Sequence, residues 1–239
     1  MVQAVSRIGL VLGVMAGAML VGCDPAGTPV TRVEAEPNDA TAVETTNYLD
    51  AEHAPRGEGW IRLFNGQDLQ GWRPRDPKIP MSWRAEDGLL RNTSDVRKHD
   101  GVDLVSEATF DDFELYLEYR VPRGSNSGVY LRGRYEIQIL EDFGKPPRDG
   151  SNGGIYSLAV PAKNVSREPG QWQSIYATLI GRRVNVWVNG FQTVKDVELT
   201  RVTGGALDSN EDAPGPIMLQ GNHGSVDFRH LLIRPIPRP

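Results

Sequence analysis

The residues best suited to chemistry lie between Ser125 and Gly144, in the run SNSGVYLRGRYEIQILEDFG. Residues 129–140 have the alternating pattern of a β-strand, whose successive side chains point to opposite faces of the sheet. One predicted face carries Tyr130, Arg132, Arg134, Glu136 and Gln138. Acidic, basic and amide groups in one row are poor core material, but they can bind sugar hydroxyls. The pattern predicts a carbohydrate-binding face, with Gly133 as the point where the strand could bend.

Two residues of the chain are candidates for proton transfer. His223 follows the predicted strand at 217–220 in a Gly-rich loop, and an imidazole with an ordinary pKa near ~6.5 can act as acid or base. Glu136 lies on the polar face, where arginine neighbours would hold it ionised as a base, a sugar ligand or a metal ligand. Each has a structural alternative, a backbone hydrogen bond for His223 and a salt bridge for Glu136. His53 and His99 lie in polar, irregular segments and are assigned no role.

The elements that must position these residues are short strands. Runs that alternate apolar and polar residues are separated by Gly, Pro, Asn and Asp, and no helical period is found; the predicted strands include 113–121, 129–140, 175–180, 184–188, 217–220 and 226–234. Turns are predicted at Asp87-Gly88, Gly181-Arg182 and Asn189-Gly190. This pattern predicts an all-β, concanavalin A-like jelly-roll β-sandwich of two antiparallel sheets.

The strand at 113–121 is expected to contribute to the same polar surface. Its apolar residues have odd numbers, whereas Glu114, Tyr116, Glu118 and Arg120 face the other way. If this strand shares a sheet with 129–140, Glu118 lies near Arg132 and Glu136. Arg132 would then be free to bind substrate or would pair with Glu118 or Glu136 across the sheet.

The beginning of the chain is predicted to be an export and anchoring region. Residues 1–22 have a positive start, an apolar run and small residues before Cys23, as in a lipoprotein signal peptide whose Cys23 is lipidated. Residues 23–57 are acidic and poor in large apolar residues, which predicts a flexible tether. The folded domain is predicted over 58–239. We therefore expect an exported bacterial lipoprotein of the cell envelope.

Charge and cysteine content limit the partners. The net charge of −5 and the lack of a Lys/Arg cluster argue against nucleic acid and against direct binding to lipid headgroups. The single cysteine excludes an internal disulfide. Membrane contact is expected only through the lipid.

Ordered motifs along residues 59–236 carry a resemblance to a known family. They are LFNG at 63–66, GW at 71–72, DFEL at 112–115, NSGVYLR at 126–132, YEIQIL at 135–140, GIY at 154–156, AVP at 159–161 with Asn164, GQW at 170–172, VNG at 188–190, LQGNHG at 219–224 and VDFR at 226–229. Together they resemble the 3-keto-disaccharide hydrolase domain family. Glu141 and His230 depart from its pattern, in which Asp and Asn are usual.

The resemblance implies a concanavalin A-like jelly roll and a substrate oxidised to a ketone at C3 of one sugar. Such a ketone acidifies the C2 proton, so cleavage by proton abstraction, elimination and hydration is expected. His223, Glu136 and Arg132 are the expected catalytic residues, with Arg132 polarising the ketone. The expected substrate-binding residues are Asn126, Tyr130, Gln138, Gln220, Glu118 and Tyr156. A sugar 3-oxidoreductase is an expected functional partner, since the ketone must be made first.

Three questions stay open at this point. The cofactor is unknown, and a divalent metal held by Glu136, Asp142 and His223 lacks a ligand spacing typical of metal sites. A non-catalytic, lectin-like module on a membrane anchor would use the same polar face. An ordinary two-carboxylate retaining glycosidase is suggested by the order Glu136, Gln138, Glu141, although an unbulged strand would put the two glutamates on opposite faces.

Overall fold

The computed structural model describes residues 54–237. The predicted signal peptide, Cys23 and nearly all of the predicted tether lie outside these residues. Between residues 54 and 237 the secondary structure consists of strands without a helix, so that part of the chain has no helix able to cross a membrane.

The larger of the two sheets has eight strands. Seven of them run in the order β11-β10-β9-β6-β13-β4-β3, and β1 pairs with β13 beside this path. Their bounds are β1 Ile61–Arg62, β3 Trp83–Glu86, β4 Leu89–Asn92, β6 Phe113–Arg120, β9 Gln173–Ile180, β10 Arg183–Val188, β11 Phe191–Glu198 and β13 Val226–Pro235. Every pairing is antiparallel.

The smaller sheet has five strands in the order β2-β5-β12-β7-β8, again all antiparallel. Their bounds are β2 Trp72–Pro74, β5 Leu104–Phe110, β7 Asn126–Leu131, β8 Tyr135–Leu140 and β12 Gly215–Leu219. Sequence neighbours repeatedly fall in different sheets, so the chain crosses between layers several times. This is the two-layer jelly roll predicted from the alternating pattern, and the fold prediction is confirmed.

The core lies between the sheets because alternate side chains of each strand turn inward. In β6 these are Phe113, Leu115, Leu117 and Tyr119, all with no exposed surface. Val129, Leu131, Ile137 and Ile139 of β7 and β8 are equally buried and belong to the same apolar cluster. Complete burial of such a side chain contributes roughly 1.5–3 kcal/mol. The odd-numbered residues therefore fix the orientation of the even-numbered residues on the outside.

The predicted turns are confirmed. Asp87-Gly88 joins β3 to β4, Gly181 begins the turn from β9 to β10, and Asn189-Gly190 joins β10 to β11. Asp87 and Asn189 have φ angles of 54° and 50°, each followed by a glycine with positive φ. Two consecutive positive φ angles match the right-handed twist of the strands that such a turn connects.

Two predictions about strands are wrong. Residues 129–140 form a hairpin rather than one strand, because the chain reverses at Arg132 and Gly133, whose φ angles are 52° and 67°. The strand at 113–121 corresponds to β6, which belongs to the eight-stranded sheet, whereas β7 and β8 belong to the five-stranded sheet. The polar side chains of β6 therefore lie on the opposite outer face of the sandwich.

Candidate active site on the five-stranded sheet

The outward face of the five-stranded sheet carries a connected group of polar side chains. Tyr130 is paired with Glu136, and Gly128 with Gln138, across the β7–β8 hairpin. Gln220 follows β12, and its backbone N–H donates to Gly128 O at 2.9 Å. The register places the even-numbered residues of three neighbouring strands on one face.

Glu136 is the most deeply buried acid of this face, with 3% of its surface exposed. Its side chain lies directly over Gly128, where a Cβ would come within 2.1 Å of Glu136 Oε1. A residue larger than glycine at position 128 would displace the carboxyl group. Gly128 is therefore required for the close approach rather than for an unusual backbone angle.

Burial raises the pKa of Glu136 to about 7. Loss of water around the charged form is the main cause, the negative charge of Asp103 adds to it, and a hydrogen bond from Tyr130 opposes it. A carboxyl group with a pKa near neutrality can both give and take a proton under cellular conditions. Arg132 and Arg134, which were expected to hold Glu136 ionised, are not beside it.

Tyr130 and Gln220 line the space next to Glu136. The Tyr130 hydroxyl donates to Gly204 O at 2.9 Å and accepts a hydrogen bond from Gln220 Nε2 at 3.3 Å. Gln220 is 9% exposed, and its Oε1 has no hydrogen-bond partner within the described residues. A buried acceptor without a partner costs free energy unless a ligand or water fills the role. Gln220 Oε1 is thus placed to accept a hydrogen bond from a sugar hydroxyl.

Asn126 and Gln138 extend the group along the hairpin. Gln138 Nε2 donates to Asn126 Oδ1 at 2.8 Å, so the two amides are held together. Each amide still has donors or acceptors left for a ligand. Gly224 lies against Asn126, since a Cβ at Gly224 would be 3.3 Å from Asn126 N. The loop that carries His223 therefore adjoins this end of the polar face.

His223 is half-buried in that loop, and its Nδ1 makes a short hydrogen bond with Asn222 Oδ1. Its pKa lies below the usual value of 6.5, because burial disfavours the charged form and the neighbouring His99 adds to that effect. The charge of Asp103 acts in the opposite direction. The imidazole is consequently neutral at pH 7. The charge of Asp103 thus influences both proton-transfer candidates, raising the pKa of Glu136 and opposing the lowered pKa of His223.

Asp103 and His99 were not found by the sequence interpretation. Asp103 Oδ1 accepts a hydrogen bond from Gly221 N at 3.0 Å, and Oδ2 pairs with Arg75 at 3.2 Å. The His99 ring meets the His223 ring edge-on, with 5.4 Å between centroids. Asp103 immediately precedes a strand that was not predicted. The proximity of His99 to His223 arises only from the fold. The sequence signal available for Asp103 was its position in the segment Gly101-Val102-Asp103, directly before β5.

Tyr156 stands at the rim of the polar face. Its backbone N–H donates to Glu136 O at 3.0 Å, while its side chain is 40% exposed. The ring also lies beside Gly204, whose added Cβ would be 3.5 Å from Tyr156 Cε1. An exposed aromatic ring next to buried polar groups is suited to stack on a pyranose.

Arg132 and Glu118 are not brought to this group. Arg132, 1% exposed, pairs with Asp112 at 2.8 Å and Asp111 at 3.2 Å beyond the end of β7, where the hairpin turn redirects it. Glu118, on the other sheet, accepts from Tyr116 Oη at 2.9 Å and pairs with Arg229 at 2.5 Å. The shared platform of Arg132, Glu118 and Glu136 expected from strand parity is therefore wrong.

The other carboxylate arrangements are not assembled either. Asp142 accepts hydrogen bonds from Asn152 N at 3.0 Å and Ser166 Oγ at 2.7 Å, so it holds the loop after β8. Residues 54–237 contain no group of three or more His, Cys, Asp or Glu side chains arranged to hold a metal ion. Glu136, Asp142 and His223, which the sequence left open as a possible metal site, do not form such a group among these residues. Glu141 Oε2 accepts from Gly124 N at 3.1 Å, which directs it to the turn before β7.

The two antiparallel sheets packed around one core define a two-layer, all-β jelly roll. Residues 59–234 match the model of the 3-keto-alpha-glucoside-1,2-lyase-like domain, and the chain belongs to that family. The family resemblance seen in the sequence motifs is confirmed.

Individual relatives agree with this assignment. The chain is 28% identical over 127 residues to the 3-keto-disaccharide hydrolase of Bacteroides thetaiotaomicron, a match that covers 48% of this chain and 44% of the relative. The chain thus aligns with less than half of that protein's length. A candidate glycosyl hydrolase from Parabacteroides distasonis superposes with a TM-score of 0.62 at 26% identity, covering 75% of this chain and 84% of the other. A second such structure from that organism has a TM-score of 0.62 at 19% identity and covers 77% and 99% of the two chains, which shows the shared fold.

Proposed function

We propose that this protein is an enzyme that cleaves the glycosidic bond of 3-keto-glycosides or 3-keto-disaccharides by C2 proton abstraction, elimination and hydration. Family membership and the name of the Bacteroides relative support the substrate class. The observation that carries the mechanism is the buried Glu136, whose pKa is raised to about 7 on a face that His223 adjoins. Elimination needs one group to take a proton and another to give one, and these two residues supply the pair.

Elimination begins at C2, where the neighbouring C3 ketone makes the proton acidic. The neutral imidazole of His223 takes this proton, and the electron pair of the C2–H bond forms the enolate. The enolate collapses to a C1–C2 double bond as the bond from C1 to the leaving oxygen breaks. Protonated Glu136 gives its proton to that oxygen. This step produces the free aglycone, an enone, an imidazolium and a carboxylate.

Hydration returns Glu136 and His223 to their initial protonation states. The Glu136 carboxylate takes a proton from water as the water oxygen adds to C1 of the enone, and the electrons of the double bond pass to the C3 oxygen as an enolate. The His223 imidazolium, whose N–H exchanges with solvent between the two steps, then protonates C2. The sum of both steps is hydrolysis, and each residue ends in the protonation state in which it began.

The remaining residues of the face are assigned to binding. Gln220 Oε1 accepts from a sugar hydroxyl, the amides of Asn126 and Gln138 bind neighbouring hydroxyls, and the exposed ring of Tyr156 stacks on the sugar. Tyr130 keeps its proton, because burial raises its pKa, and donates it in a hydrogen bond to Gly204 O beside Glu136. The C3 ketone must come from an earlier oxidation, so a sugar 3-oxidoreductase is proposed as the functional partner.

The assignment can be tested with p-nitrophenyl glucoside and its C3-oxidised form, assayed in D2O. We expect p-nitrophenol release from the oxidised compound alone, with deuterium incorporated at C2 of the sugar product. Glu136→Gln and His223→Ala should each lower kcat by roughly 10²–10⁴-fold. Asn210→Ala, at an exposed position, is the matched control and should retain activity.

Two other outcomes would contradict the proposal. Binding of the sugar without release by the intact protein would favour the lectin-like module. Cleavage of the unoxidised glucoside without deuterium at C2 would favour a two-carboxylate glycosidase.

The pH profile gives a further check: release of p-nitrophenol should decline as pH rises through about 7, because Glu136 loses the proton that it must donate.

A further inference from the structure

Asn222 is hydrogen-bonded to two imidazole rings, those of His99 and His223. His99 Nδ1 is 3.0 Å from the backbone oxygen of Asn222. A carbonyl oxygen can only accept, so His99 Nδ1 carries the proton of this bond. His223 Nδ1 is hydrogen-bonded to the side-chain oxygen Oδ1 of the same residue. The amide oxygen is also an acceptor, so His223 Nδ1 carries a proton and Nε2 keeps its lone pair.

We propose that Asn222 is a positioning residue that holds His223 in the Nδ1–H form and so leaves Nε2 as the base. This inference deepens the proposed function, because it depends on His223 taking the C2 proton. In a neutral imidazole only the nitrogen without a proton can act as base, and a hydrogen bond at the other nitrogen decides which one that is. Asn222 provides that hydrogen bond from the adjacent position of the chain.

The loop that carries Asn222 is fixed at both ends. Asn92 Nδ2 donates to Gly221 O at 2.7 Å and to Gly224 O at 2.8 Å, and Ser94 Oγ donates to Gly224 O at 3.0 Å. Gly221 packs closely against the backbone before β5, because a Cβ added at Gly221 would lie 2.0 Å from Val102 O. These contacts limit the movement of the four-residue loop, so the hydrogen bond between Asn222 and His223 is held before substrate arrives.

An amide suits this position better than a carboxylate would. A carboxylate at hydrogen-bond distance would favour imidazolium and raise the pKa of His223, whereas a neutral amide orients the ring without that effect. The charged or titratable groups that act on His223 are His99, from the loop before β5, and Asp103 at the end of that loop. His99 opposes a positive charge on His223, and Asp103 favours one. Asn222 therefore sets orientation while burial and His99 keep the base neutral.

Two variants separate orientation from charge. Asn222→Ala removes the acceptor, and Asn222→Asp replaces it with a charged acceptor of similar shape. The ¹⁵N-labelled full chain is examined by long-range ¹H–¹⁵N spectra, which distinguish a protonated from an unprotonated ring nitrogen, with His223→Ala used to assign the signals. Asn210→Ala is the control, because its side chain is exposed and distant in sequence from the loop.

We expect the wild-type chain to show His223 protonated at Nδ1 above its pKa, and Asn222→Ala to show a mixture of both forms. The same substitution should lower kcat by roughly 10- to 100-fold with little change in KM, as part of the general base contribution. Asn222→Asp should keep the Nδ1–H form and move the acidic limb of the pH–rate profile upward by roughly one pH unit.

The spectra test the positioning role of Asn222, and the activity of His223→Ala tests the proposed function. A wild-type His223 protonated at Nε2, or an unchanged tautomer in Asn222→Ala, would overturn the positioning role whatever the activity. Full activity of His223→Ala would instead refute the proposed function, while the spectra would still report whether Asn222 sets the tautomer. An unchanged kcat in Asn222→Ala would also refute the positioning role if the spectra showed that His223 had lost its preference for the Nδ1–H form.

Discussion

Glu136 shows at the scale of one residue how a sheet face changes the pKa of an acid. The carboxyl is covered by its neighbours and lies over a glycine, and the resulting loss of water raises its pKa to about 7. The same burial must disfavour the ionised form of the folded protein. The proposed proton-transfer role and the stability of the fold would therefore make opposite demands at this position.

This opposition predicts the pH dependence of stability. The pKa of Glu136 is about 7 when folded and 4.5 for the ordinary group, so the folded state binds the proton more tightly. Its contribution makes the protein less stable as pH rises from about 4.5 to about 7, and the full cost is present above that range. Glu136→Gln should remove up to roughly 3 kcal/mol of this cost, since each pKa unit corresponds to about 1.4 kcal/mol. Urea denaturation at pH 5 and pH 8 should show the larger gain at pH 8.

The exposed carboxyl of Glu107 in β5 offers a matched control. Glu107→Gln should change stability little, because substitutions at exposed positions usually alter it by less than about 0.5 kcal/mol. If Glu136→Gln gave the same difference from wild type at pH 5 and pH 8, the carboxyl would not have a raised pKa, and the assignment of Glu136 as proton donor would lose its basis.

At the scale of the element, the β7–β8 hairpin explains why strand parity succeeded for some residues and failed for others. Tyr130, Glu136 and Gln138 share a face as predicted, because the hairpin pairs residue 130 with 136 and 128 with 138, which preserves even numbering. Arg132 leaves that face because it occupies the turn. An Arg-Gly turn lacks the Asn-Gly or Asp-Gly signal, so the reversal could not be inferred from local sequence.

The position of Arg132 predicts a structural rather than a catalytic effect of its substitution. Arg132→Met would remove the ion pair between Arg132 and the buried Asp112, which is expected to cost roughly 3–5 kcal/mol. The turnover rate of the fraction that remains folded should be unchanged. Urea denaturation followed by assay at a temperature where the variant is fully folded would measure both quantities.

A second substitution provides the control for Arg132. Asp112→Asn in the Arg132→Met background removes the negative charge that Arg132 balances in the wild-type chain, while the amide oxygen can still accept the hydrogen bond from Gly181 N. Part of the lost stability should return. If Arg132→Met instead lowered the turnover rate by roughly two orders of magnitude while stability stayed unchanged, Arg132 would be restored as a catalytic residue.

At the scale of the whole molecule, the residues that the sequence placed on one binding surface lie on the two opposite outer faces of the sandwich. The face of the five-stranded sheet carries Glu136, Gln138 and Gln220. The opposite face carries Glu118 with Arg229, and Trp172 lies 4.1 Å from the Arg229 guanidinium. Alternation showed which side chains of each strand point outward, and so the core and fold class could be predicted. It contains no information on which sheet a strand joins, because that depends on pairing between distant segments.

This separation gives opposite predictions for two residues that the sequence assigned to one binding surface. Tyr156→Ala should raise KM about 3- to 10-fold with kcat nearly unchanged, because the ring is exposed beside Gly204 and aromatic contacts contribute about 0.5–1.5 kcal/mol. Glu118 lies on the eight-stranded sheet and is not one of the proposed acid–base groups, whose loss would cost about 100-fold or more. Glu118→Gln should therefore leave both constants within about two-fold. Steady-state kinetics on the C3-oxidised nitrophenyl glucoside measure both. An increase in KM for Glu118→Gln matching that for Tyr156→Ala would mean that substrate contacts the eight-stranded sheet, and the site would have to be moved to the other face.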